Sequence, residues 1–180
     1  MAADRIVGVV LAAGEGARFG GPKAPYVLDG ERLVDRAVRV LRDGGCQRVL
    51  VVLGAWVGDV PGADVVVNEG WPEGMGSSLR AALQHLAADD DAAAALVTLV
   101  DLPGLTPEAV RRVAACGADL AVAAYDGVRG HPVLIDRAHW AGVVESARGD
   151  RGARDYLAAH PPLAVEVADV AHGADLDVRP

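Results

Sequence analysis

The apolar run Ile6–Ala12 breaks into a loop with glycines at 14, 16, 20 and 21 and with cations at Arg18 and Lys23. This layout constrains the fold more than any other stretch of the chain. A short, unbroken apolar run bounded by turn residues reads as a strand covered on both faces, the kind found in parallel sheets. The glycines let the backbone turn sharply and bring its N–H groups close to an anion. Arg18 adds a planar fork of donors for phosphate oxygens, and Lys23 adds a compact point charge. Strand, glycine-rich turn and cations together are what binding a nucleoside triphosphate requires. The loop is not a P-loop, which needs Gly-Lys-Ser/Thr after its spacer, and it misses the dinucleotide fingerprint G-x-G-x-x-G by one position. Pro22 and Pro25 also keep the segment after it from opening cleanly as a helix.

Beyond the loop the chain alternates between two periods. Strands are predicted over Ile6–Ala12, Arg48–Leu53, Asp64–Asn68, Ala94–Val100, Asp119–Tyr125, Pro132–Ile135 and Leu163–Val167. Helices are predicted between them over Leu33–Arg42, Ser77–Ala88, Pro107–Ala115, Ala138–Ser146 and Ala153–Ala159. Leu33, Ala37, Val40 and Leu41 make the i, i+4, i+7, i+8 stripe of a helix lying on a sheet. Thr106 reads as an N-cap, with Pro107 at the first helical position and Glu108 in the first turn. Such alternation implies an α/β chain folded as a three-layer α/β/α sandwich around a mostly parallel, Rossmann-like sheet. One domain is expected over 1–180. Ligands of such sheets bind beyond the carboxyl ends of the strands, where the polar motifs of this chain fall.

Bulk properties narrow the partners. Hydrophobic residues make up 52% of the chain, which excludes disorder, and no apolar run approaches the ~20 residues that span a bilayer. A net charge of −8 argues against nucleic acid or an anionic membrane as a partner. Cys46 and Cys116 have no metal or redox spacing and read as reduced thiols, so the expected compartment is the cytoplasm. There is no Ser-His-Asp set, zinc signature or Cys-His pair to support a hydrolase.

Two further sites follow from residue chemistry. Asp101 ends the apolar strand Ala95-Leu96-Val97-Thr98-Leu99-Val100, where a carboxylate is costly unless it binds something. Thr106 is better placed to cap the next helix, which leaves Asp101 as a metal ligand. Mg²⁺ suits the position, because it takes one or two carboxylates and completes its octahedron with phosphates and waters. Ser77 and Ser78 sit at the predicted opening of a helix, where free N–H groups and hydroxyls suit a ribose or phosphate, or serve as a simple N-cap.

The run Leu11-Ala12-Ala13-Gly14-Glu15-Gly16-Ala17-Arg18-Phe19-Gly20-Gly21-Pro22-Lys23 resembles the signature loop of the MobA-like NTP transferases, in their molybdenum cofactor cytidylyltransferase branch. Four more segments resemble that family in the same order: Asn68–Leu79, Leu99–Pro103, Arg129–Pro132 with Gly149–Arg154, and Asp175-Leu176-Asp177. The resemblance implies a sheet of the nucleotide-diphospho-sugar transferase type. It also implies a Mg²⁺-dependent transfer of CMP from CTP to a phosphorylated acceptor, molybdopterin carrying its metal, with release of pyrophosphate. Handover contacts with molybdoenzyme maturation proteins would follow.

By the same resemblance, Leu11, Ala12, Ala13, Gly14, Gly16, Arg18, Lys23, Asn68, Ser77 and Ser78 bind the nucleotide. Asp177 joins Asp101 on the metal, Arg18, Lys23 and Asp101 carry catalysis, and Trp71, Met75, His131 and Arg151 face the acceptor. His131 could equally be a satisfied structural histidine, Arg154 could replace Arg151 or their turn could simply cap the helix, and Trp71 could be packing alone. Guanylyl-transferring relatives carry L-A-G-G where this chain has Leu11-Ala12-Ala13-Gly14, which favours CTP over GTP. The alternatives are a guanylyl or other nucleotidyl transferase with a different acceptor, an NAD(P)-type oxidoreductase, and a nucleotide-binding protein without turnover.

Overall fold

Successive side chains of the first strand, β1 (Ile6–Leu11), point to opposite faces and divide the core in two. The computed structural model describes residues 5–180. After β1 and the glycine loop come a small hairpin of β2 (Val27–Leu28) and β3 (Glu31–Arg32), then α1 (Leu33–Asp43) and β4 (Arg48–Leu53). There follow β5 (Asp64–Val67), α2 (Met75–Ala87), β6 (Ala94–Leu99), α3 (Pro107–Ala114) and β7 (Leu120–Tyr125). The chain continues through β8 (Val128–Asp136), α4 (Arg137–Ser146), α5 (Arg154–Ala159) and β9 (Leu163–Glu166).

Seven of these strands make one sheet in the order β5-β4-β1-β6-β8-β7-β9. Pairings β1–β4, β1–β6, β4–β5 and β7–β9 are parallel, while β8 runs antiparallel to β6 and β7. The mostly parallel three-layer architecture is therefore as expected. Ile6 and Val10 face α1 and α3, whereas Val7, Val9 and Leu11 face α2 and α4. Val9 and Val10 are both 0% exposed, so the strand is buried on each side, as its unbroken apolar run required.

Several boundaries differ from the sequence reading for identifiable reasons. The predicted strand Pro132–Ile135 is the inner part of a longer β8. It begins at Val128 because Asp126-Gly127 closes a tight hairpin, with φ values of 51° and 80°. A two-residue turn with positive φ at both positions joins antiparallel strands only, which explains the reversed direction of β8. On α1 the buried set is Leu33, Val34, Val38, Val40 and Leu41, with Ala37 only partly covered. Thr106 caps α3 as expected, its Oγ1 accepting from the Ala109 amide at 3.3 Å. Thr98 lies at 0% exposure in β6 with its hydroxyl unpartnered among the described residues. No helix of the described residues is long and apolar enough to cross a membrane.

Candidate functional site

The carboxyl ends of β1 and β6 open side by side into a cleft of about 550 Å³, lined by both strand ends, the glycine loop and the Trp71–Met75 segment. The loop curls on itself. Gly16 sits at φ +62°, its carbonyl accepts from the Gly20 and Gly21 amides at 2.8 and 3.1 Å, and a Cβ there would lie 2.0 Å from the Gly21 oxygen. No side chain other than hydrogen fits that turn. The curl turns Phe19 into the interior and leaves Gly14 and Glu15 on the cleft wall, with no hydrogen-bond partner among the described residues. Two residues that line the cavity thus keep backbone amides with no internal partner. Ala12 and Ala13 line it differently: the Ala12 amide donates to the Val52 carbonyl, and the Ala13 carbonyl accepts from Ala55, so the sheet occupies both groups. Leu11, Gly14, Gly16, Arg18 and Lys23 line the cleft as well.

Opposite the loop, Asp101 follows β6 and meets Lys23, whose Nζ donates to Oδ2 at 2.6 Å. The two side chains are only 18% and 15% exposed, so neither charge is well hydrated without the other. Asp177 is brought to the same place, with its Oδ1 3.8 Å from Lys23 Nζ and 3.4 Å from Arg18. Burial, reinforced by the Asp101 and Asp177 carboxylates, pushes the Asp175 carboxyl above its ordinary range. The strand end is thus a pocket of concentrated negative charge with a lysine ammonium at its centre. Among the described residues no group of three or more His, Cys, Asp or Glu converges as a ready metal site. A pair of hard carboxylates fits a divalent cation whose other positions are filled by phosphates and water, and does not fit an all-protein cage.

The wall at 68–78 is built differently from the sequence reading. Helix α2 opens at Met75 with Gly74 as its N-cap, two residues before Ser77, so neither serine caps it. Ser77 lies within the first turn, its Oγ 2.8 Å from the Gly74 carbonyl and 3.1 Å from that of Gly70. Asn68 donates to Ser77 Oγ at 2.8 Å and to Ser78 Oγ at 3.1 Å, and its Oδ1 accepts from the Gly70 amide at 3.0 Å. Asn68 and Ser77 therefore stand behind the cleft and brace the segment that carries Trp71, while Ser78, Trp71 and Met75 line it. Serine beside glycine hid this arrangement, because a short polar side chain can cap a helix or bond a nearby carbonyl from within its first turn.

The residues expected at the acceptor divide. Trp71 and Met75 line the cleft. His131 lies outside the lining on β8, and burial pushes its imidazole down to about 4, the charge of Asp101 opposing and that of Arg154 reinforcing the drop. Arg151 sits in a short 3-10 turn and forks onto Asp155, which occupies its donors away from the cleft. Its neighbour Asp150 lines the cavity instead. Glu15, Pro72, Gly74, Leu99 and Val100 also line it; they lie within the motif segments, which signalled the region without singling them out.

Residues 8–164 match the MobA-like NTP transferase domain. The chain belongs to the MobA-like NTP transferase family. It is 37% identical to a nicotine blue oxidoreductase of Paenarthrobacter nicotinovorans, over 96% of this chain and 92% of that protein. It is 38% identical to a probable molybdenum cofactor guanylyltransferase of Opitutus terrae, over 57% of this chain and 51% of that protein. Among solved structures, the Rv0371c homolog from Mycobacterium sp. strain JC1 gives a TM-score of 0.81 at 30% identity, covering 97% of this chain and 91% of that one. Rv0371c of Mycobacterium tuberculosis in complex with manganese gives 0.72 at 26% identity, covering 91% and 87%. The fold and the family are those of nucleotidyltransferases.

Proposed function

We propose that this MobA-like transferase moves a nucleoside monophosphate from CTP to a small phosphorylated acceptor, molybdopterin being the acceptor that the family resemblance favours. The observation that carries the reading is Lys23 Nζ held between Asp101 and Asp177, with the free Gly14 and Glu15 amides on the same cleft wall. A bound Mg²⁺ would be held by Asp101, with Asp177 beside it, and would neutralise phosphate charge. Arg18 and Lys23 meet the anionic β- and γ-phosphates, and the loop amides hold them in place. A phosphate oxygen of the acceptor then attacks the α-phosphorus in line, the bond to the bridging oxygen breaks, and pyrophosphate leaves. No covalent nucleophile is needed, so positioning and charge neutralisation supply the catalysis.

Trp71 and Met75 form the wall that the acceptor would meet, braced from behind by Asn68 and Ser77. Arg18, Lys23 and Asp101 are the residues on which turnover depends. His131 and Arg151 lie outside the cleft lining, so neither is assigned a contact with the acceptor. Leu11-Ala12-Ala13-Gly14 in place of L-A-G-G favours CTP over GTP.

The similarity to a nicotine blue oxidoreductase favours a second reading, an oxidoreductase of a pigment-like substrate. Against it, β1 leads into a loop and hairpin before any helix, and β4 is followed directly by Gly54-Ala55-Trp56 where an acidic residue for a ribose would stand. One experiment separates the two. Thermal shift with each of the four NTPs and Mg²⁺, followed by pyrophosphate release with CTP and a molybdopterin acceptor, is expected to be positive. NADPH oxidation with a quinonoid dye and no NTP response would overturn the transferase reading.

A further inference from the structure

We propose that Arg179 is a positioning residue that clasps the 175–179 segment onto the glycine loop and so presents the Asp177 carboxylate to the site. The inference rests on the proposed role of Asp177 beside the divalent cation. Residues 168–180 form no helix or strand, so something else must hold Asp177 in place. Its own contacts do not suffice. Arg18 and Asp177 are 82% and 49% exposed, and Lys23 stands 3.8 Å from Asp177 while closely engaged by Asp101 at 2.6 Å, so these ion pairs hold little against chain motion.

Two anchors flank the carboxylate. On one side the Leu176 amide donates to the Asp101 carbonyl at 2.9 Å, while the Leu176 side chain packs against the core. On the other side Arg179 donates to the Gly20 carbonyl at 3.1 Å. Its guanidinium also lies 5.4 Å from the centre of the Phe19 ring and 5.6 Å from that of Tyr26. Those rings meet edge to face at 4.8 Å, and Lys23 Nζ lies 5.8 Å from the Phe19 centre. The same aromatic pair therefore receives both the lysine that grips Asp101 and the arginine that ends the clasp. A guanidinium stacked on a partly dehydrated ring is held better than an ion pair in open water. Gly21 lies directly beneath, where a Cβ would come 3.4 Å from Arg179 Nη2. Without Arg179 the segment is tied at Leu176 and by the ion pairs of Asp177 itself, with no anchor beyond the carboxylate among the described residues, and Asp177 occupies the site for a smaller fraction of the time. Cation affinity falls by that fraction.

The test measures Mn²⁺ binding to the CTP complex by the signal of free Mn²⁺, together with backbone hydrogen exchange over 172–177 in the unliganded protein. Arg179→Ala is expected to raise the half-saturating Mn²⁺ on the order of 10-fold, with CTP affinity in the absence of metal unchanged. It is also expected to speed exchange of the Leu176 amide. Arg179→Lys, which keeps the cation over the rings, is expected to recover most of both effects. In an Asp177→Ala background Arg179→Ala is expected to leave the Mn²⁺ midpoint where it was. An unchanged midpoint and unchanged exchange in folded Arg179→Ala would overturn the clasp, as would an equal further loss in the Asp177→Ala background. If the wild-type protein binds no Mn²⁺ with any NTP, the transferase reading fails. The exchange data then decide the clasp alone: faster exchange in Arg179→Ala supports it and unchanged exchange refutes it.

Discussion

Lys23 Nζ lies 2.6 Å from Asp101 Oδ2, across 78 residues of sequence, at the point where β1 and β6 end side by side. The parallel pairing of these strands runs to Leu11 opposite Leu99, so the loop after one and the carboxylate after the other must face each other. The sheet thus builds the ion pair, and the glycine loop delivers the lysine to it.

Lys23→Ala removes the cation from a pair that is mostly shielded from water. A charge-assisted hydrogen bond of this kind is worth roughly 2–3 kcal/mol, so triphosphate binding or turnover is expected to drop about 10²-fold. Isothermal titration with CTP and the rate of pyrophosphate release measure it. Unchanged affinity and rate in a folded variant would remove the loop from the site.

Asp101→Asn keeps shape and hydrogen bonding but replaces an anionic oxygen pair with one neutral oxygen. Cation-dependent pyrophosphate release is expected to collapse in a protein that still folds, with a lower thermal midpoint because Lys23 loses the counter-charge of a mostly buried pair. A folded variant with normal Mg²⁺-dependent turnover would show that the metal is held elsewhere.

Asn68→Ala takes away three hydrogen bonds at a buried position and leaves Ser78 Oγ and the Gly70 amide without them. The cost is expected to be about 1–3 kcal/mol of stability, read as a lower urea midpoint. Because Asn68 braces the Trp71 segment, KM for the acceptor should rise more than kcat falls. Stability and kinetics equal to those of the wild type would contradict a bracing role.

His131 gives the protein a dependence on acid. Burial holds its folded-state value at about 4, against about 6.5 in the unfolded chain. Between those values the unfolded state binds more protons, so stability rises with pH across the window and is lost as pH falls from about 6.5 toward 4. The loss by pH 4 is bounded at about 3 kcal/mol. Urea melts at pH 7.5 and 5.0 should show the difference, and His131→Gln should shrink it. An identical pH dependence in that variant would assign the effect to other groups.

The sequence by itself determined the class of fold and the strand ends at which a candidate site is proposed. Unbroken apolar strands must be covered on both faces, helical stripes must lie on them, and glycine with proline punctuates the loops. All of these are local properties of neighbouring residues, and they set β1, the loop after it and the Thr106 cap in advance. The reversed direction of β8 has a local cause, the Asp126-Gly127 turn with positive φ at both positions, which becomes decisive only with the backbone in view. What only the tertiary structure decided is which group meets which. Arg151 resembled a residue aimed at the acceptor, but its fork turns to Asp155, four residues on in the first turn of α5. Asn68 and Ser77 carry the right chemistry for a nucleotide, yet packing puts them behind the wall. Asp177 and Arg179 reach the glycine loop across a separation of 159 residues from Arg18 and Gly20. No periodicity encodes such pairings, because they depend on where the sheet edge, the hairpin and the irregular 168–180 segment come to rest against one another.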